Sequence, residues 1–250
     1  MRASHLVPVI ASFFYSYHAF AAMDLQTVSA GDTVTGQVSI GIHSISLPDG
    51  SWQVVSTTDE AVTWGATSLR SPIPARTAVL AQYDHGKIRA MLRLNAPIAD
   101  LTSNRPGWRD DPCNVTALAS RHLYFHDTLD GTAKSPQCLT VEPIHGFIRS
   151  NASWAKQVVK TVISSGNAVP KDLIYTRLDY YQALWYVNVA LWINPDMDGS
   201  TSNRNWDVTL VQENEKPTIE LAKSWGVALQ KNLNNSDGGR NITLPQLPVI

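Results

Sequence analysis

Ala78-Val79-Leu80-Ala81-Gln82-Tyr83-Asp84-His85-Gly86-Lys87-Ile88-Arg89-Ala90-Met91-Leu92-Arg93-Leu94 is the stretch on which the fold turns. Two apolar runs flank the polar tetrapeptide Asp84-His85-Gly86-Lys87, the pattern of a β-hairpin. On the returning strand Ile88, Ala90, Leu92 and Leu94 share one face and Arg89, Met91 and Arg93 the other, so the sheet has a buried side and a wetter side. A second hairpin is read from Leu173 to Leu178 and from Leu184 to Ile193. In its second strand Trp185, Val187, Val189, Leu191 and Ile193 fall on one face, with Leu184, Tyr186, Ala190 and Trp192 on the other. That strand is expected to be covered on both sides.

Working outward, Val34, Val38, Ile40 and Ile42 alternate with polar or small residues, and Pro48-Asp49-Gly50 turns into Trp52-Gln53-Val54-Val55. Ala61 to Gly65 reads as a short strand, Ser71-Pro72-Ile73-Pro74 as a break, and 97–118 as irregular. The segment 119–127 is ambiguous between strand and helix, and Gln137 to Glu142 reads as a strand. The period then changes. Trp154, Ala155, Val158, Val159, Val162 and Ile163 recur at helical spacing after Ser150-Asn151, and Gly166 closes the helix. Asn194 to Asn205 is a loop and Trp206 to Val211 a strand. Pro217 opens a last helix striped by Leu221, Ala222, Trp225, Ala228 and Leu229. The expected fold is α+β, an antiparallel sheet of several hairpins with two helices packed on it.

Met1 to Ala21 reads as a secretory signal peptide. Arg2 supplies the positive start, and Leu6 to Tyr15 is an apolar core too short to cross a bilayer of roughly 30 Å as a helix. Ala19-Phe20-Ala21 places the cut before Ala22, an uncleaved anchor being the alternative. Residues 22–233 are then one α+β domain. The stretch 234–250, opening Asn-Ser-Asp-Gly-Gly and ending rich in proline, is expected to be a disordered tail. A formal net charge of −1 with interspersed signs argues against a nucleic-acid partner. No segment after the leader is long and apolar enough for a membrane helix, so no stable membrane insertion is expected once the leader is removed.

Cys113 and Cys138 are the only cysteines. In an oxidising compartment such a pair is expected to form one disulfide, with two free thiols as the alternative. No cofactor motif is present and no cofactor is expected. His122 and His126 would share a face if helical, but in a strand they stand about 13 Å apart, too far to hold one metal ion. His85 falls in a turn; His43 and His145 have no evident companion. No Gly-x-Ser-x-Gly occurs, although a nucleophilic site can be assembled from distant residues. Asn194 to Ser200 matches the first half of a calcium loop through Asp196 and Asp198, but position twelve is Asn205 in place of the bidentate glutamate. Four Asn-x-Ser/Thr sequons begin at Asn114, Asn151, Asn234 and Asn241. Among eight tryptophans, Trp185 and Trp192 crowd one hairpin with several tyrosines. Tyr180, Tyr186 and Trp192 are therefore candidates for a ligand-stacking surface, the core being the ordinary place for strand aromatics.

Trp108-Arg109-Asp110-Asp111-Pro112-Cys113, then Asp127-Thr128-Leu129-Asp130-Gly131, Pro136-Gln137-Cys138-Leu139 and Leu191-Trp192-Ile193-Asn194-Pro195, in that order, resemble a family of exported proteobacterial proteins without established activity. The resemblance implies a bacterial envelope setting, periplasmic or secreted, and a bond between Cys113 and Cys138. It carries no catalytic residue. The expected function is binding of a small ligand or an envelope protein. The alternative is a hydrolase with a distributed active site, using His122 or His126 with Asp127.

Overall fold

β6 (Ile73–Asp84) and β7 (Lys87–Pro97) form the hairpin that the sequence announces. Asp84 pairs with Lys87, and the two residues between them, His85 at φ 47° and Gly86 at φ 76°, both take the left-handed conformation. That combination matches the twist of the flanking strands. The computed structural model describes residues 22–62, 73–98, 113, 123–128, 136–182, 185–198 and 216–249. The expected signal peptide at 1–21, the expected strand Trp206 to Val211 and the sequon at Asn114 lie outside these residues.

The second hairpin, β10 (Asp172–Tyr181) and β11 (Tyr186–Ile193), joins the first edge to edge, since β11 pairs with β7. β9 (Gln137–His145) and β8 (Phe125–Thr128) extend the sheet on one side. β5 (Trp52–Val62) and the two-residue β2 (Thr33–Val34) extend it on the other. The result is an eight-stranded antiparallel sheet in the order β2-β5-β6-β7-β11-β10-β9-β8. A smaller mixed sheet runs β1 (Met23–Asp24), β3 (Gln37–Ile40), β4 (His43–Ser46) and β12 (Asn241–Thr243), with parallel pairs at both ends. Within the ambiguous segment 119–127, Phe125 to Asp127 are strand, and the first two residues of the strand expected at Ala61 to Gly65 are the end of β5, the remainder of both segments lying largely outside the described residues.

Alternation divides the large sheet into two faces, each with its own cover. On one side Leu92, Leu94, Leu139, Ile174, Leu178, Val189 and Leu191 pack with the small sheet and with α2 (Lys216–Asn234), through Ile219, Ala222, Trp225 and Leu229. Thr176 Oγ1 donates to the Ala222 carbonyl at 3.0 Å, fixing the height of the helix on the sheet. On the other side α1 (Ser153–Ser164) lays Ala155, Val158 and Val162 against Val79, Met91 and Trp192. α1 ends as predicted at Gly166, φ 77°. The Gly166 N–H donates to Ile163 and that of Asn167 to Val162, satisfying two carbonyls that the helix end would leave open.

The tail corrects the sequence reading. Residues 234–249 are not a disordered appendage: β12 pairs with β4, Ile242 and Leu244 are buried, and Trp225 Nε1 donates to the Pro245 carbonyl at 3.0 Å. The Asn-Ser-Asp-Gly-Gly composition marks a turn, through Gly238 and Gly239 at positive φ, and not a loss of structure. Apolar Ile242 and Leu244 behind it complete a strand that the glycines and prolines obscure in the sequence.

Candidate functional site

The register of the large sheet places side chains in rows across it. On the α1 face one row runs Thr77, Asn95, Asn188, Asp179, Cys138; the next runs Val79, Arg93, Ala190, Arg177, Thr140, His126; the next runs Ala81, Met91, Trp192, Tyr175, Glu142. The face therefore grades from apolar, beneath α1, to polar beyond it. A central strand face with two arginines, two asparagines and two carboxylates is unusual, because an unpaired buried polar group is costly. Part of the row satisfies itself: Asn95 Nδ2 donates to Thr77 Oγ1 at 2.8 Å, and His126 Nδ1 lies 3.2 Å from Thr140 Oγ1.

Where α1 meets this polar half, a cleft of about 300 Å³ opens. Its aromatic walls are Phe147, Trp154, Tyr175 and Trp192, and its polar lining includes Arg93, Glu142, His145, Ser150 and Arg177. The aromatic rings touch one another: Trp192 lies 4.9 Å from Tyr175, 5.4 Å from Trp154 and 6.3 Å from Phe147, centroid to centroid. Trp192 is 2 % exposed, and its indole Nε1 meets no acceptor among the described residues.

The two arginines are in different electrostatic states. Burial works against the Arg177 cation, but Asp179 outweighs it, accepting from Nε at 2.8 Å and from Nη2 at 2.7 Å, and Arg177 is held charged above its ordinary range. Arg93 has no such partner among the described residues. Its guanidinium stacks over Trp154, 5.1 Å from the ring centroid, and its buried Nε has no acceptor among the described residues. Burial pushes the Tyr175 hydroxyl above its usual range, with Arg177 and Arg93 opposing the shift and Asp179 and Glu142 adding to it. At the rim His145 Nδ1 and Asp172 Oδ1 are 2.9 Å apart, with Asp172 buried and the His145 side chain 47 % exposed.

Of the residues singled out from the sequence, Tyr180, Tyr186 and Trp192 do not make an exposed stacking patch. They are 6 %, 0 % and 2 % exposed, and strand alternation sends Tyr180 to the α2 side and the other two to the α1 side. Trp192 reaches the cleft only as part of its wall. His126 sits in a strand, so it and Asp127 point to opposite faces and cannot act as a dyad; His122 lies outside the described residues. No metal-binding group of His, Cys, Asp or Glu occurs among the described residues. Asn194 of the supposed calcium loop is buried, its Nδ2 donating to the Ile88 carbonyl and its Oδ1 accepting from the Asp196 N–H, so its side chain caps a turn. His85 is the solvated turn residue expected, beside Asp84.

Arg93, Glu142, His145, Asp172 and Arg177 were legible in part. The sequence marks Arg93 as lying on a wetter face, and the charged Arg177 and Asp179 inside an apolar strand are a signal that the aromatics nearby outshine. The pairing of His145 with Asp172 needs the β9·β10 register and has no local signature.

Cys113 and Cys138 form a disulfide at the polar end of this face, with Cα atoms 5.6 Å apart and both residues buried. Among the described residues no helix is long and apolar enough to cross a membrane.

No family model and no curated protein matches the chain. A solved structure, gene product SA0254 from Staphylococcus aureus subsp. aureus N315, aligns with 57 % of this chain and 82 % of its own at 8 % identity. Its TM-score of 0.25 is too low for the likeness to bear on fold or activity.

Proposed function

We propose that the chain is exported and acts outside the cytoplasm as a small-molecule-binding domain whose ligand occupies the cleft between α1 and the large sheet. The observation that carries this is Arg93: a partly buried cation without a carboxylate partner among the described residues, in a concave site walled by four aromatic rings. Concave, largely apolar sites with a few convergent polar groups are where small ligands bind, and about 300 Å³ is the small end of their range. The leader at 1–21 and the disulfide support the setting, since such bonds persist where the surroundings are oxidising.

A fragment screen on the exported protein tests the reading. Ligand-observed NMR should find aromatic fragments that bind wild type and lose binding in Ser150→Trp, which fills the mouth of the cleft. Hits that bind both proteins alike, or no hits at millimolar concentration, would refute it.

One observation favours a hydrolase as the second reading. His145, oriented by Asp172, shares the cleft with Ser150, and a histidine, a carboxylate and a hydroxyl are the parts of a nucleophilic site. Ser150 Oγ is instead engaged by the Ala152 N–H at 3.4 Å. Labelling of Ser150 by a fluorophosphonate, lost in Ser150→Ala and His145→Gln, would establish this reading; an unlabelled protein would remove it.

A further inference from the structure

The row that contains Arg93 has alanine at its centre. Arg93 on β7 and Arg177 on β10 flank Ala190 on β11, so two guanidinium-bearing positions stand about 10 Å apart across a residue that contributes only a methyl group. Arg177 is neutralised by Asp179, and Arg93 has no carboxylate partner among the described residues. The Arg93 guanidinium lies over the Trp154 ring, and Trp154 packs on Trp192, whose buried indole N–H has no acceptor among the described residues. Among the described residues, donors without acceptors and a cation without an anion thus converge on the same aromatic wall.

Resting on the cleft reading above, we infer that the ligand is a monocarboxylate on a flat apolar body, its carboxylate accepting from Arg93 and its body lying beside Trp154, the partly exposed ring of the cleft wall. A guanidinium held against a ring keeps its donor edge free, and that edge matches a planar carboxylate in a two-point bond. Phosphate or another dianion fits less well, because the surrounding acids are as numerous as the bases: Glu142, Asp179 and Asp172 stand against Arg93, Arg177 and His145. Glu142 is three strands from Arg93, about 14 Å between backbones, so a single negative charge at Arg93 is not set against it. The body of the ligand fills the cleft, whose volume of about 300 Å³ has room for one or two fused rings.

Calorimetry with 2-naphthoate, 2-naphthamide and 2-naphthylmethylammonium decides the matter. Wild type should bind the carboxylate at least tenfold more tightly than the neutral amide and the ammonium least of all. Arg93→Gln should abolish the preference for carboxylate over amide, and an unchanged circular dichroism spectrum with a Tm close to wild type would show that the variant is folded. Arg93→Lys should restore part of the preference, because charge survives while the two-point geometry does not. Equal binding of carboxylate and amide, or a preference for the ammonium, would overturn the carboxylate inference and leave the cleft reading standing. No binding of any of the three at millimolar concentration would overturn both.

Discussion

His43 shows how a single residue acquires a role that its sequence neighbours do not disclose. The ring is buried, its Nδ1 donates to the Gly239 carbonyl at 2.7 Å, and it meets Trp185 edge-on at 5.2 Å. It therefore pins the turn that returns the C-terminal strand to the small sheet. Burial lowers its pKa below 6.5, although hydrogen bonds to the backbone of Gly239 and Tyr186 oppose the shift. Between the folded and unfolded pKa values the unfolded chain binds the extra proton, so stability rises with pH across that window and falls as the pH drops below 6.5. Thermal melts from about pH 7.5 to about pH 5 should show a falling Tm, and His43→Asn should flatten the part of that fall lying below 6.5. An unchanged slope in the variant would mean that other groups carry it. In the sequence His43 stands alone, because Gly239 lies 196 positions away, Trp185 is also far along the chain, and only the fold brings them together.

Elements were legible where their periodicity was strong. The 84–87 turn, the alternation of β7, the stripe of α1 and its stop at Gly166 all follow from local spacing, and each is found where the spacing puts it. The tail was misread because composition and periodicity disagree there over only a few residues, and Ile242 and Leu244 give too short a pattern to stand against two glycines and two prolines. The approach of α2 to the sheet shows what periodicity cannot express. Gly226 lies in the apolar stripe, and a methyl group there would collide with Leu139 and Thr176, so glycine sets the distance between helix and sheet. Its helix-propensity cost of about 1 kcal/mol against alanine is thus a packing requirement. Gly226→Val should lower the unfolding free energy by about 1–3 kcal/mol in a denaturant titration, the range for overpacking a filled core. A variant as stable as wild type would show that the helix moves away at no cost.

At the scale of the whole molecule the large sheet carries a well-made core on the α2 side and a graded face on the α1 side, and the candidate site lies where that grading changes from apolar to polar. The sequence disclosed the antiparallel sheet, the two helices and the pairing of cysteines, but not this boundary, which exists only when five strands are laid in register. The disulfide stands at the polar end, linking Cys138 on β9 to Cys113, which is 25 positions earlier. In chain-entropy terms, closing a loop of that length restricts the unfolded state by about 3.5 kcal/mol. The loss falls on the half of the molecule least supported by apolar packing, since Cys138 shares its row with Asn95, Asn188 and Asp179 and not with the α1 contacts. Reduction should therefore lower the Tm by several degrees, and replacing both cysteines by serine should reproduce the shift. The asymmetry makes the prediction sharper than a change in melting temperature: hydrogen exchange should quicken first in β8 and β9 around Cys138, while the amides of β6 and β7 in the middle of the sheet keep their protection. Uniform loss across the sheet would show that the bond holds the fold together as a single cooperative unit, and exchange unchanged by reduction would show that the polar end is secured by its hydrogen bonds alone.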